Sequence, residues 1–406
     1  MNIEKNIFLF FLFFLFFLLI SCSKKQIQQD LPLDGDFYTI DLDAKKEISI
    51  PLSSFFKSVQ TIILENRKEC LIGNISEIQV FNEFIYILDS RKTKSLFVFD
   101  MEGRFIRKIG GLGNGPGEYI EPNDFTLDIE NGIIYICDIR NRVLKYSLDG
   151  TYIHTITIQA PLSNIAFIQF YNGSLYSNHI WWDKSEGNYL LLEIDTSDGK
   201  ILNSALPLSY NKGWNELFFD SYSRFFMTRA NNPPKFNMMF MDYIVSIGKE
   251  ITPYIKLKSE NLTTEKDIDD FRSKKVLPFE VGKIMKSSKN FNVHCYIENE
   301  NYIMFRYGFS SRFTVIFNKK TKETKLATYL RNDLIFNQNQ KERLGEFLFS
   351  NSKGAYSILD TQRGNELYDF QSAIEKNIIV PELDKLEQLK QLDDDSNPVI
   401  FFYEYK

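Results

Sequence analysis

Phe84-Ile85-Tyr86-Ile87-Leu88-Asp89 leads into Ser95-Leu96-Phe97-Val98-Phe99-Asp100, then Gly103, then Phe105-Ile106-Arg107-Lys108-Ile109. This unit recurs. Its second copy is Ile133-Ile134-Tyr135-Ile136-Cys137-Asp138, Val143 to Tyr146, Leu148-Asp149-Gly150, then Tyr152 to Ile156. A third runs through Ser174-Leu175-Tyr176, Leu190 to Asp195, Gly199 and Lys200-Ile201-Leu202. The glycines at 103, 150 and 199 set a period of 47 and then 49 residues. Each copy reads as an inner strand, a strand ending at Asp, a strand ending in a D-x-x-G-like turn, and an outer strand. The turn needs a residue at positive φ, which glycine supplies at little cost.

Four antiparallel strands in a repeat of this length are a propeller blade, which cannot bury both faces alone and must pack in a ring. Later copies are more degenerate. Tyr243 to Ile247 and Ile251 to Ile255 give the outer half of a fourth, and Val293 to Arg306 with Phe313 to Thr328 a fifth. Isolated strands remain at Phe37 to Leu42, Val59 to Glu65, Tyr356 to Leu359 and Asn397 to Tyr403. Joining both chain ends in one blade removes an open edge. The expected fold is therefore all-β: a six-bladed propeller of four-stranded antiparallel blades, closed by N- and C-terminal strands. Short helical insertions are expected near residues 259–290, 332–349 and 381–392. The first has a capping-box-like start at Thr264-Glu265-Lys266-Asp267, and the last has Leu383, Leu386, Leu389 and Leu392 at spacing three.

From Ile7 to Ile20 every residue is Ile, Leu or Phe, and the run ends in Leu19-Ile20-Ser21-Cys22. It is too short to span a bilayer as a helix and fits the apolar region of a signal peptide. The ending resembles a bacterial lipobox. That resemblance implies cleavage before Cys22 and acylation there, with several chains giving stable anchoring. Residues 1–21 are then a lipoprotein signal peptide, 22–36 a polar tether and 37–406 the propeller. The stretch after Cys22 lacks the dense acidic run that favours surface display in the Bacteroidota lipoproteins it resembles, so the resemblance implies the periplasmic side of the outer membrane.

The net charge is −5 and no basic block stands out, which excludes a nucleic-acid partner. Cys70, Cys137 and Cys295 are odd in number, so no disulfide framework is expected, and Cys137 sits in an apolar run as a small buried hydrophobe.

Ile109-Gly110-Gly111-Leu112-Gly113-Asn114-Gly115-Pro116-Gly117-Glu118-Tyr119 resembles the interblade loop of NHL-type propellers. It is more similar still to that of the six-bladed propeller lipoproteins of Bacteroidota, and Asn397-Pro398-Val399 with its aromatic followers resembles their closing strand. The resemblance implies the fold and little about activity. The loop lacks a Gly-Lys-Ser/Thr end and a helix start, so a phosphate role is not supported; its glycines serve a tight crossing between blades.

His154, His179 and His294 are far apart and form no paired metal or triad motif. No nucleophile elbow appears, and a non-enzymatic role is favoured. Calcium is the one cofactor to weigh, with Asn74, Glu77, Asn123 and Asp124 as inner-strand ligands, although their spacing does not argue for it. Asp393-Asp394-Asp395 lacks an EF-hand pattern and reads as a solvated turn.

Loops between second and third strands open on the same face as the interblade loops. They place Arg91, Arg140, Trp181, Trp182 and Arg306 on one side of the ring. Arginine forks hold carboxylates or sulfates, and aromatic rings stack on sugars or pack on a protein. The competing reading is local: Asp89 with Arg91 and Asp138 with Arg140 brace their own turns, and a tryptophan packs between blades. The expectation is a membrane-anchored binding or scaffold module for an anionic or glycan-like ligand or an envelope protein. The alternative is a propeller hydrolase or lyase with a tunnel metal.

Overall fold

The computed structural model describes residues 31–32, 35–159, 163–181, 189–214, 225–226, 232–273, 292–308, 313–337, 346–362 and 366–406. Six sheets of four or five strands form the blades of a β-propeller, with few helices. Blade 1 is built from Glu77–Phe81, Phe84–Asp89, Ser95–Asp100 and Phe105–Ile109, all antiparallel. Blade 2 spans Pro122 to Thr157, blade 3 Ser163 to Pro207, blade 4 Phe225 to Lys258 and blade 5 Val293 to Arg331. Blade 6 joins Phe347–Ser350, Gly354–Leu359 and Val399–Tyr405 to the N-terminal strand Phe56–Ile63, closing the ring as expected.

The middle strands of blade 1 are apolar almost throughout because both their faces are covered by neighbouring blades, whereas outer Phe105–Ile109 alternates toward solvent. The buried apolar residues fall into clusters that bridge blades. Leu88, Leu96 and Val98 of blade 1, for example, pack with Phe125, Ile136 and Leu144 of blade 2. Corresponding clusters join blades 2 and 3, 3 and 4, 4 and 5, 5 and 6, and 6 and 1. Stability therefore lies between blades, and an unclosed ring would expose one such surface.

Gly103, Gly150 and Gly199 have φ of 86°, 91° and 75°. Two of these turns also dock on the preceding blade, where Glu65 N–H donates to Gly103 O and Gln159 N–H to Gly199 O.

The N-terminus departs from expectation. Tyr38–Asp41 does not join the closing blade; it lies parallel to Ile251–Lys258 as a fifth strand on blade 4. Lys46–Pro51, which the pattern did not reveal, adds in parallel to Thr324–Arg331 on blade 5. The helical stretches also differ. Glu265–Ser273 is a helix, with Thr264 and Asp267 exchanging side-chain-to-backbone bonds at its start. In 332–349, by contrast, Asn332 to Phe336 is a turn and Phe347–Ser350 is the inner strand of blade 6. Residues 338–345 lie outside the described residues. In 381–392 only Leu386–Leu389 is helical, because Lys385 sits at φ 57° and breaks the run. A helix at Glu366–Glu375, not expected, buries Leu367, Phe370, Ala373 and Ile374 against blades 5 and 6.

Candidate functional site

The second strands of blades 1 and 2 end in Asp89 and Asp138, both fully buried. Neither carboxylate braces its neighbouring arginine. Asp89 accepts from the backbone N–H groups of Gly73, Asn74, Arg91, Lys92 and Thr93, and from the Thr93 hydroxyl. Asp138 accepts from Ile120 and Glu121 N–H, and Arg142 lies 3.7 Å away. Each aspartate thus clamps the interblade loop that enters its own blade. Buried backbone donors demand such partners, which explains a buried charge at this position.

The consequence falls on the arginines. Arg91 and Arg140 occupy matching loops of consecutive blades, both exposed, Arg140 at φ 62°. Among the described residues neither guanidinium has a hydrogen-bond or ion-pair partner. Arg142 is the bracing arginine, donating to Glu118 O. Arg306 lies within strand Tyr302–Tyr307, half-buried, and its guanidinium pairs with Glu346 at the entry to blade 6. Trp181 ends strand Ser174–Trp181, but its side chain, like all of Trp182, lies outside what is described. Cys22 also lies outside. The structure thus brings Arg91 and Arg140 to one face and gives Arg306 to an interblade ion pair.

The glycine-rich loop satisfies itself. Glu118 accepts from Gly115 N–H, Tyr119 OH donates to Ile109 O, and Tyr146 OH donates to Gly117 O. A β-carbon on Gly110 would lie 2.5 Å from the Tyr146 hydroxyl. The loop is a packed crossing, in line with the structural reading.

A second feature sits at the ring's centre. A cavity of about 80 Å³ is lined by inner-strand residues of all six blades, among them Glu77, Asp124, Gln169, Phe225, His294 and Phe349. Asp124 is 2% exposed and accepts from Ile168 N–H at 2.8 Å. Burial pushes its carboxyl up to about 8, against hydrogen bonds from Ile168 and Phe125 that pull it down. Glu77 is also raised well above the ordinary carboxylate range, first by burial and then by the charge of Asp124. Interacting carboxylates in such a setting titrate as a pair. Cys295, at φ 52° in the bulge of its strand, donates its thiol to Glu346. Cys70 and Cys137 are buried, and none of Cys70, Cys137 and Cys295 is in a disulfide. Among the described residues no three His, Cys, Asp or Glu side chains converge as metal ligands.

The family model described as Domain of unknown function (DUF4934) matches residues 37–404. Among solved structures, a Bacteroides fragilis protein described as exported is similar at 19% identity and a TM-score of 0.70, over 91% of this chain and all of that one. A Bacteroides vulgatus member of the DUF4221 family is similar at 10% identity and a TM-score of 0.51, over 86% of this chain and 97% of that one. At these identities the likeness shows the fold alone. No curated protein sequence matches the chain.

Proposed function

The chain belongs to the family of the Domain of unknown function DUF4934, and from that frame we propose that it is a binding or scaffold module of the cell envelope, tethered by lipid on Cys22. The face carrying Arg91 and Arg140 takes an anionic group, a carboxylate or sulfate on a glycan or on an envelope protein. The observation that carries this reading is the pair of exposed guanidiniums left without partners because Asp89 and Asp138 are saturated by backbone amides. Arginine suits such a ligand because its planar fork binds two oxygens at once. Trp181 and Trp182 belong to the same proposed face by their place in the sequence.

The tether favours this orientation. Leu31 is buried between blades 3 and 4, and its N–H donates to the Tyr210 hydroxyl at 3.0 Å. Tyr210 lies on the connection from blade 3 to blade 4, which opens on the arginine face. The few residues between Cys22 and Leu31 would reach roughly 15–20 Å as a flexible chain. Acylation of Cys22 would therefore hold that face close to a membrane, on the periplasmic side of the outer membrane in this reading. Replacing Cys22 with Ala should abolish acylation and leave the protein unanchored or uncleaved; unchanged membrane attachment and mass would refute the anchor.

The binding face is tested with Arg91→Ala/Arg140→Ala. Capture of a sulfated polysaccharide, chondroitin sulfate on beads, and of envelope proteins crosslinked in cells should fall about tenfold or more, the effect of losing bidentate charge-assisted bonds. Full capture by a folded double variant would sink the face. A tunnel-metal hydrolase or lyase is the second reading, and Glu77 with Asp124 at the cavity is the observation that favours it. Stoichiometric metal in the purified chain would support it.

A further inference from the structure

Acceptors and aromatic rings dominate the wall of the central cavity. Gln169 is 3% exposed, and its Nε2 donates to Thr126 Oγ1 at 3.0 Å and to Phe170 O at 2.9 Å. Those two bonds fix the amide's orientation. Its Oε1 takes no hydrogen bond from any described residue, which leaves it open as an acceptor. Gln169 lies on the wall shared with Glu77 and Asp124, beside Phe225 and Phe226. Buried Asp124, half-buried Glu77 and an amide oxygen without a donor are complementary to a ligand rich in N–H and carrying positive charge.

We propose that the central cavity binds a small protonated primary amine, with Glu77 and Asp124 as its counter-charge and Gln169 Oε1 as its third acceptor. Three N–H bonds on one ammonium match three acceptors. Phe225 and Phe226 line the same cavity and give it an apolar aromatic side for the carbon end of the ligand. The volume suits a short chain, since a water-sized group needs about 10–15 Å³ in this measure. A divalent metal fits less well: calcium takes six to eight oxygens, and the described residues offer no such set. An anion is disfavoured by the carboxylates. The inference does not rest on the arginine face.

The charge balance makes the binding visible. Burial raises both carboxyls of the empty pair, and the charge of Asp124 raises Glu77 further, so the pair holds protons more tightly than free carboxylates do. Entry of R–NH₃⁺ favours the ionised carboxylates and sends protons from the pair to solvent. The other titratable groups on the wall are His294, Cys295 and Tyr296, and Cys137 lies behind Asp124. Cys295 bonds to Glu346, whose charge is matched by Arg306.

Isothermal titration of the full chain in detergent with ethylammonium chloride tests this at pH 7, in phosphate and in MOPS, neither of which carries a primary amine. Saturable one-to-one binding is expected, with a heat difference between buffers that reports proton release. Tetramethylammonium, which has no N–H, should bind about tenfold more weakly or worse. Glu77→Gln and, separately, Gln169→Leu should each weaken ethylammonium about tenfold, with the circular dichroism spectrum unchanged. Absence of saturation by ethylammonium, tighter binding of calcium chloride than of the amine, or binding without proton release would each overturn the proposal.

Discussion

Replacement of Gly103 by Ala tests how the ring is closed. Gly103 stands at φ 86° in the turn between the third and fourth strands of blade 1. A β-carbon there would lie 2.1 Å from the carbonyl oxygen of Ile63, in the N-terminal strand that completes blade 6. Two costs add. An L-residue in the left-handed region costs about 1–2 kcal/mol. Relief of a backbone clash must part the turn from the strand by more than about 1 Å to reach ordinary contact. That separation breaks the 2.8 Å bond from Glu65 N–H to Gly103 O, worth about 1 kcal/mol. The expected loss is between about 2 and 4 kcal/mol. Gly173→Ala is the control, because Gly173 has φ 87° but nothing within 4 Å of a β-carbon; it should lose only about 1–2 kcal/mol. Urea unfolding of the two variants gives the difference, and hydrogen exchange should quicken in Phe56–Ile63 for the first alone. A Gly103 variant as stable as the Gly173 variant, with protection in that strand intact, would refute the reasoning.

Other outcomes follow from the clamps and the cavity. Asp138→Ala should cost about 3–5 kcal/mol in urea unfolding, because it leaves the Ile120 and Glu121 amides without their acceptor and Arg142 without its counter-charge; Asp138→Asn should lose less. The Arg91→Ala/Arg140→Ala protein should instead unfold within about 0.5 kcal/mol of the parent, as exposed side chains without partners do. Asp124 is near 8 in the folded chain against 3.8 as its ordinary value. The folded state therefore holds protons more tightly between those limits, so stability falls as pH rises from about 4 to 8. Each unit of net elevation corresponds to about 1.4 kcal/mol. Asp124→Asn should flatten that slope and gain on the parent above pH 8; an unaltered slope in thermal unfolding would show that the pair does not titrate there.

Much of the fold was legible because a blade is a local object. Phe84 to Ile109 carries its hairpins in nearby residues, so the period, the turn glycines and the doubly buried middle strands could be read directly. The helix Glu366–Glu375 was legible too, from the three-and-four spacing of Leu367, Phe370, Ala373 and Ile374, and the pattern was missed. Residues 347–349 were read as helix, yet they pair with Tyr356 and Ser357 as strand, an outcome set by a neighbour and not by their own propensity.

The free guanidiniums of Arg91 and Arg140 were hidden for a similar reason. In the sequence each stands two residues from an aspartate, which suggests a local ion pair. Only the packed loops reveal that the aspartates are occupied by backbone amides from the preceding connection.

By itself, the sequence determined the repeating β unit, the ring that such units require, the lipobox-like start and the absence of a recognisable catalytic motif. Tertiary structure alone decided where Tyr38–Asp41 and Lys46–Pro51 attach, and that Glu77, Asp124 and Gln169 meet at one cavity. The physical reason is separation along the chain. Strand pattern and turn chemistry act over a few residues. Edge pairing and the convergence of the cavity carboxylates depend on partners from other blades, whose positions are fixed only when the ring closes.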